Sequence, residues 1–270
     1  MFSTITSQVI SGVDDFDKWY EIPSPGYTIF WTMPETYRDP DFLITRLIGH
    51  SAGVVSAVLA HCTRHNIDGF LRNISLLDPD CLGQLMGMGV NMHFIDSYSV
   101  RLELFGRPVG NHDGLDVRYV TENSKPSGTG TVSDIFRELG DEFMLSDFVG
   151  FENNLTDIAM GMGEFQHMRL FSEMVSRIKS REGTMIGIAD WYSHDETYKA
   201  SLIHMADAAL LWGITSGNKK TKYLLPIKRR EISPASGFEV QPYEIGGSSM
   251  RLAAETTRSV APQLHDTFYR

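Results

Sequence analysis

At 270 residues, 42% hydrophobic and 11% aromatic, the chain is long enough to bury one substantial core, and a charged fraction of 21% is too ordinary for disorder. A formal net charge of −10, from 24 basic and 34 acidic residues, argues against a surface that grips phosphate backbones, so nucleic acid is not an expected partner. Two cysteines leave no disulfide framework, no apolar run nears the roughly 18 residues of a membrane span, and MFSTITSQ lacks the pattern of a signal peptide, so a cytoplasmic protein without a membrane partner is expected.

In chain order, Tyr27 to Thr32 is β-branched and aromatic, enters from Pro23-Ser-Pro-Gly26 and predicts a buried strand. A helix is expected from Pro40 to about Arg64, with Asp39 as its cap and Phe42, Leu43, Leu47, Val54, Val58 and Leu59 on roughly helical spacing. Phe70 to Leu76 reads as a strand, Asp78 to Met88 as a helix, Met92 to Ile95 as a strand and residues 106–116 as a loop. Residues 131–139 suggest a short helix and Glu142 to Phe148 a strand, while Met160 to Arg181 is the clearest helix, with Phe165, Met168, Leu170, Phe171, Met174, Val175 and Ile178 on one face. Thr184 to Ala189 is a central strand, and a helical turn precedes another within His204 to Trp212. Tyr223 to Ile227, Phe238 to Val240 and Pro242 to Leu252 read as short antiparallel strands. Alternation of strand and helix predicts an α/β domain over residues 1–252 with a mostly parallel sheet and a C-terminal antiparallel meander, followed by a tail at 253–270.

Four phrases narrow this to a family. SGVDDFDKWYEIPSPGYTIFW, residues 11–31, resembles the entry of KaiC-like proteins of the RecA superfamily, with Gly12, Phe16, Asp17, Ile22, Pro23 and Gly26 in the matching places. Residues 75–99, HMADAALLW at 204–212, and KRREISPASGFEVQPYEI at 228–245 are similar to later phrases of the same family, in the same order. The resemblance, to KaiC-like and RadA-like proteins, implies a RecA-like three-layer α/β/α fold, a prokaryotic, archaeal source, and a ring or dimer.

The same resemblance puts a phosphate-binding loop between Thr32 and Asp39. Such a loop needs glycines for close backbone approach, a Lys for the phosphates and a hydroxyl for Mg²⁺. Pro34, Glu35, Thr36, Tyr37, Arg38 and Asp39 contain no glycine; Arg38 takes the lysine's place, Tyr37 a glycine's and Asp39 the hydroxyl's. The family's pair of acids at the end of its second strand corresponds to Leu77 and Asp78, and its metal-binding acid to Asp147 or, with a shift of one, Ser146. Lys228 and Arg230 match the basic element that reaches across a subunit interface, and lie near Lys219, Lys220 and Lys222. Together these losses and this retained element imply a non-catalytic regulatory or scaffold subunit that forms homo-oligomers, or hetero-oligomers with a related P-loop ATPase, and lends it cations. No cofactor or metal is then expected. Two alternatives stay open: an ATP-binding or ATP-hydrolysing switch, with Mg-ATP on an unorthodox loop, and a recombinase-paralogue accessory in DNA repair.

Other features admit plainer readings. His61 and His65 stand four apart, as a metal-binding pair on a helix would, but a surface helix end explains them without a third ligand. His194-Asp195-Glu196 is expected at the carboxyl edge of the sheet, where open α/β folds bind ligands. The clustered methionines read as gap-filling core and Met160-Gly-Met-Gly163 as a loop.

Overall fold

A stretch such as Gly26–Thr32, with no polar face, is stable only inside a sheet covered on both sides. The computed structural model, which describes residues 7–9, 11–51, 54–64, 67–88, 92–96, 116–119, 147–215, 220–229, 240–246 and 249–253, places it there. This strand, β3, is buried along its length between two parallel neighbours, β8 (Thr184–Asp190) and β9 (Ala208–Ile214). Its side chains alternate between two cores. Tyr27, Ile29 and Trp31 pack with helices α5 (Leu155–Met162), α6 (Glu164–Ser180) and α7 (Glu196–Met205). Phe30 joins the opposite core, with α1 (Asp14–Trp19), α2 (Asp39–Ser51) and α3 (Ile67–Leu77).

The sheet continues from β8 through β7 (Phe148–Glu152), β4 (Ala57–Cys62), β5 (Met92–Asp96) and β6 (Asp116–Tyr119), all parallel. Beyond β9 it turns antiparallel, through β10 (Lys222–Lys228), β11 (Gln241–Gly246) and β12 (Ser249–Leu252). This is the expected three-layer α/β/α architecture with a mostly parallel sheet and an antiparallel C-terminal extension. A separate ribbon pairs β1 (Ser7–Val9) with β2 (Ile22–Ser24). Asp17 of α1 closes the entry by accepting from Ser11 N at 2.9 Å and Gly12 N at 3.1 Å. Asp207, within the phrase at 204–212, fixes the start of β3: it accepts from Tyr27 N at 3.0 Å and pairs with Lys179 Nζ at 2.6 Å.

Several predicted boundaries are corrected. The first long helix ends at Ser51, and Val58 and Leu59 lie in β4, where Val58, Ala60 and Cys62 face one core and Ala57 and Leu59 the other. Phe70 to Leu76 is helical: Ile67, Phe70 and Ile74 are its buried face, and Leu76 is 73% exposed, which a core strand would not allow. The helix predicted from Met160 is two helices broken at Gly163, whose φ of 89° suits glycine and few other residues. Glu142 to Phe148 overlaps β7 only at Phe148; residues 142–146, the helix at 131–139, the loop at 106–115, Phe238, Lys219 and residues 254–270 lie outside the described residues. Met174 and Met92 are buried as expected, whereas Met86 and Met160 are exposed.

Gly187, in the middle of β8, has no room for a side chain. A Cβ there would meet the Tyr27 hydroxyl and stand 2.6 Å from Leu155 Cδ1. Overpacking of this kind costs about 1–3 kcal/mol. The Gly187→Ala chain is therefore expected to melt several degrees below the parent in a thermal denaturation scan, and an unchanged midpoint would refute the packing argument.

Candidate functional site

The carboxyl ends of β3, β4, β7 and β8 leave a cleft of about 500 Å³. Thr32, Pro34 and Tyr37 line it from the end of β3 and the loop after it, and Thr63 and Arg64 from the end of β4. Asn154 and Asp157 stand on the α5 side, and Asp190, Tyr192 and Ser193 close it beyond β8. The cleft lies at the mouth of the loop after β3, where the family resemblance puts a phosphate loop.

That loop is closed on itself. Met33 N donates to the Thr36 hydroxyl and to Trp212 O, Thr36 N to Met33 O, Asp39 N to Thr36 O, and Asp41 N to Arg38 O, all between 2.9 and 3.1 Å. The N–H groups of Met33, Thr36, Asp39 and Asp41 are thus spent within the turn and on Trp212. Thr36 is fully buried, its hydroxyl donating to Trp212 O at 2.6 Å, so it faces no metal. Glu35 pairs with Lys220 at 3.2 Å, which holds its carboxyl below the usual range. Asp39 pairs with Lys222 at 2.8 Å and accepts a short hydrogen bond from Tyr243. Arg38 has its guanidinium 5.3 Å from the centre of the Tyr37 ring.

The remaining expected site residues are placed differently from the sequence reading. Leu77 and Asp78 lie at the end of α3 and before α4 (Pro79–Met88), not on a strand; Asp78 accepts from Cys81 N at 3.2 Å and pairs with Arg46 at 2.7 Å. The parallel strand that follows α2 is β4, so the end of the second strand reads Thr63-Arg64, a hydroxyl and a cation where two acids were expected. Asp147 precedes β7, at the amino end of the strand and thus opposite the cleft; its φ of 55° belongs to a turn. The acid at the carboxyl end is Glu152, which the sequence reading missed because it began the strand six residues early. Lys228 sets its ammonium on the carbonyls of Ile203, His204 and Ala206 at the end of α7, so it is engaged within its own chain instead of being offered to a neighbour. Arg230 lies outside the described residues. His61 is on β4, buried, and does not end a helix; His65 lies outside the described residues.

Behind the cleft runs a buried polar network. Glu152, with no exposure, accepts a short hydrogen bond from Tyr27 and faces His61 Nδ1 at 3.2 Å. Burial and the Glu152 charge push Tyr27 well above its ordinary pKa, so it stays protonated and donates. His194, as expected at the sheet's carboxyl edge, links Glu164 at 2.6 Å to the Thr156 hydroxyl at 2.9 Å, and Thr156 accepts from Asp190 N at 2.9 Å. His167 makes a short hydrogen bond to Tyr198. Among the described residues no group of three or more His, Cys, Asp or Glu is placed to hold a metal.

Set against Mg-ATP, this arrangement does not fit. Four of the loop's N–H groups are used, the Thr36 hydroxyl is buried, the strand-end acid Glu152 is turned into the core, and the acids lining the cleft are Asp157 and Asp190.

Strand order, layers and cleft define a RecA-type α/β fold. Solved structures that include a KaiC-like protein share this fold. A KaiC-like protein of the hyperthermophilic archaeon Pyrococcus horikoshii matches with a TM-score of 0.62 at 12% identity, over 92% of this chain and 99% of that one. An uncharacterised protein of the same organism, crystallised with an unknown peptide, matches with a TM-score of 0.63 at 14% identity over the same shares. No family model and no curated protein matches the chain in sequence. Among the described residues no helix is long and apolar enough to cross a membrane.

Two buried groups oppose one another in their pH dependence. Burial raises Asp41 from 3.8 to about 6 against the pull of Arg64 and Arg38, so the folded chain holds an extra proton in that window and loses stability as pH rises through it. Burial lowers His167 from 6.5 to about 4, so the folded chain lacks a proton there and gains stability as pH rises. Asp41→Asn removes the first slope only. Denaturant melts between pH 6 and pH 4 are expected to show a steeper loss on acidification in the variant than in the parent; parallel curves would refute the assignment.

Proposed function

We propose that the chain is a non-catalytic KaiC-like subunit that acts as a regulator or scaffold through protein–protein assembly, with itself or with a related P-loop ATPase. The observation that carries this reading is the loop after β3, where the Met33 N–H bonds Thr36 and Trp212, the Thr36 hydroxyl is buried against Trp212 O, and both acids are partnered in cis by Lys220, Lys222 and Tyr243. A nucleotide would have to break these contacts and meet two carboxylates. The peptide carried by one structural neighbour is consistent with an assembly role on this fold. Lys228 is no part of the proposal, since its ammonium already serves α7.

Two measurements test it. Saturation of a binding site at 100 times the dissociation constant adds about 2.7 kcal/mol, or roughly 5–10 °C for a domain of this size. Thermal melts with millimolar Mg-ATP are expected to show no such shift, and a clear rise would overturn the non-catalytic reading. Light scattering after gel filtration, on the chain alone and mixed with an intact KaiC-like ATPase, is expected to reveal an assembly in at least one case. A monomer in both would overturn the assembly role.

A further inference from the structure

The cleft carries an unspent donor. Asn154 is only 4% exposed and lines the cleft just before α5. Its Oδ1 accepts from Thr156 N at 3.1 Å, which caps the helix and fixes the orientation of the amide. The other end, Nδ2, has no hydrogen bond among the described residues and is not sealed in the core, so it opens onto the cleft. A nearly buried amide donor without a protein partner is a group that something bound there satisfies. The same cleft holds an unspent acceptor. Asp190 Oδ1 accepts from the Thr32 hydroxyl at 3.2 Å and from Arg64 at 3.3 Å, which holds the carboxylate in place, while Oδ2 has no hydrogen bond or ion pair among the described residues.

The charges of this lining are already answered. Arg64 pairs with Asp190 and donates to Tyr37 O at 3.2 Å, and Asp157 is engaged as well. A charged ligand of either sign would have to displace one of these partners, whereas a neutral ligand rich in hydrogen-bonding groups would not. Beside the polar groups stands an open ring. Tyr192 lines the cleft and is 61% exposed, and the exposed hydroxyl of Ser193 next to it both donates and accepts. The Tyr37 ring is not open in this way, because the guanidinium groups of Arg38 and Arg64 each stand 5.3 Å from its centre.

We infer that the cleft binds a neutral carbohydrate of one or two rings. A sugar hydroxyl is both donor and acceptor, so neighbouring hydroxyls can accept from Asn154 Nδ2 and donate to Asp190 Oδ2. The C–H face of the sugar ring lies on Tyr192, where its apolar area leaves water without hiding a hydroxyl. The cleft volume of about 500 Å³ falls within the range of small-molecule sites, roughly 300–1,000 Å³. A peptide backbone also offers donors and acceptors, but it lacks the apolar face fringed by hydroxyls that Tyr192 among these polar groups complements. The inference goes beyond the assembly role, which light scattering decides and the sugar titrations do not.

Saturation-transfer NMR and calorimetric titration of the full chain with methyl glucoside, maltose, cellobiose and lactose test it, with glucose 1-phosphate and acetyl-Gly-Gly-amide as comparisons. At least one of the four saccharides is expected to bind with a Kd of about 1 mM or below. Asn154→Asp keeps the helix cap but turns the donor into an acceptor, and is expected to weaken that saccharide about tenfold. Tyr192→Ser is expected to weaken it by about the same factor and Tyr192→Phe to leave it bound, since only the first removes the ring. Should the Asn154 variant fail to fold, the Tyr192 pair, at an exposed position, carries the comparison. No saccharide bound at roughly 10 mM would overturn the inference. So would saccharide binding that neither Asn154→Asp nor Tyr192→Ser alters, which places it elsewhere. Tighter binding of glucose 1-phosphate than of methyl glucoside would make the cleft an anion site, and tighter binding of acetyl-Gly-Gly-amide than of every saccharide would make it a peptide site; either defeats the carbohydrate reading.

Discussion

Glu152 brings a carboxylate to a position with no access to water, and much of the molecule is arranged around that constraint. A buried charge must be partnered or its burial costs several kcal/mol. The partners come from two other strands, Tyr27 from β3 and His61 from β4. Since β8 lies between β3 and β7, Tyr27 has to pass over it, and this is why Gly187 carries no side chain. One carboxylate therefore ties β3, β7 and β4 together across β8. It also withdraws the strand-end acid from the cleft and commits to the core a group that would otherwise be available to a metal.

The loop after β3 obeys the same rule on the outside. A glycine-rich phosphate loop leaves its N–H groups unpaired, and the ligand satisfies them. Here side chains do so permanently: Thr36 folds into the turn and bonds Trp212 O, while lysines on the antiparallel extension neutralise Glu35 and Asp39. Lys220 and Lys222, just before and at the start of β10, thus answer acids of their own chain. Tyr243, from β11, adds a second hold on Asp39, so two strands of the C-terminal extension clamp the loop.

Where buried character was continuous, the sequence was easy to read. β3, β8 and β9 are apolar runs of strand length, and the contents of α6 show helical spacing, so these elements fall close to expectation. Errors fall where two periods share the same residues. Val58 and Leu59 fit a helix continued from Phe42 as well as an alternating strand, and only the two cores on either side of β4 decide between them. Phe70 and Ile74 fit both a strand with period two and a helix with period near four, and the exposure of Leu76 settles the matter. The site suffered most from these slips: placing the second strand after residue 70 moved the expected acids to Leu77 and Asp78, and starting β7 too early pointed to Asp147 instead of Glu152. A signal was present, because Phe148 to Phe151 is an apolar strand ending in Glu152-Asn153, an abrupt change of polarity typical of a carboxyl edge.

Charges placed without regard to one another would leave orphaned groups: a lone acid in the loop, an unpaired cation at the cleft, a buried carboxylate without a donor. At these positions the described residues show matched sets instead. Glu35 has Lys220, Asp39 has Lys222 and Tyr243, Arg64 has Asp190 and the face of Tyr37, and Glu152 has Tyr27 and His61. Each set joins residues far apart in sequence, so each forms only when the chain is folded. Residues in such contact are expected to be energetically coupled, so the sets hold the carboxyl edge in one arrangement.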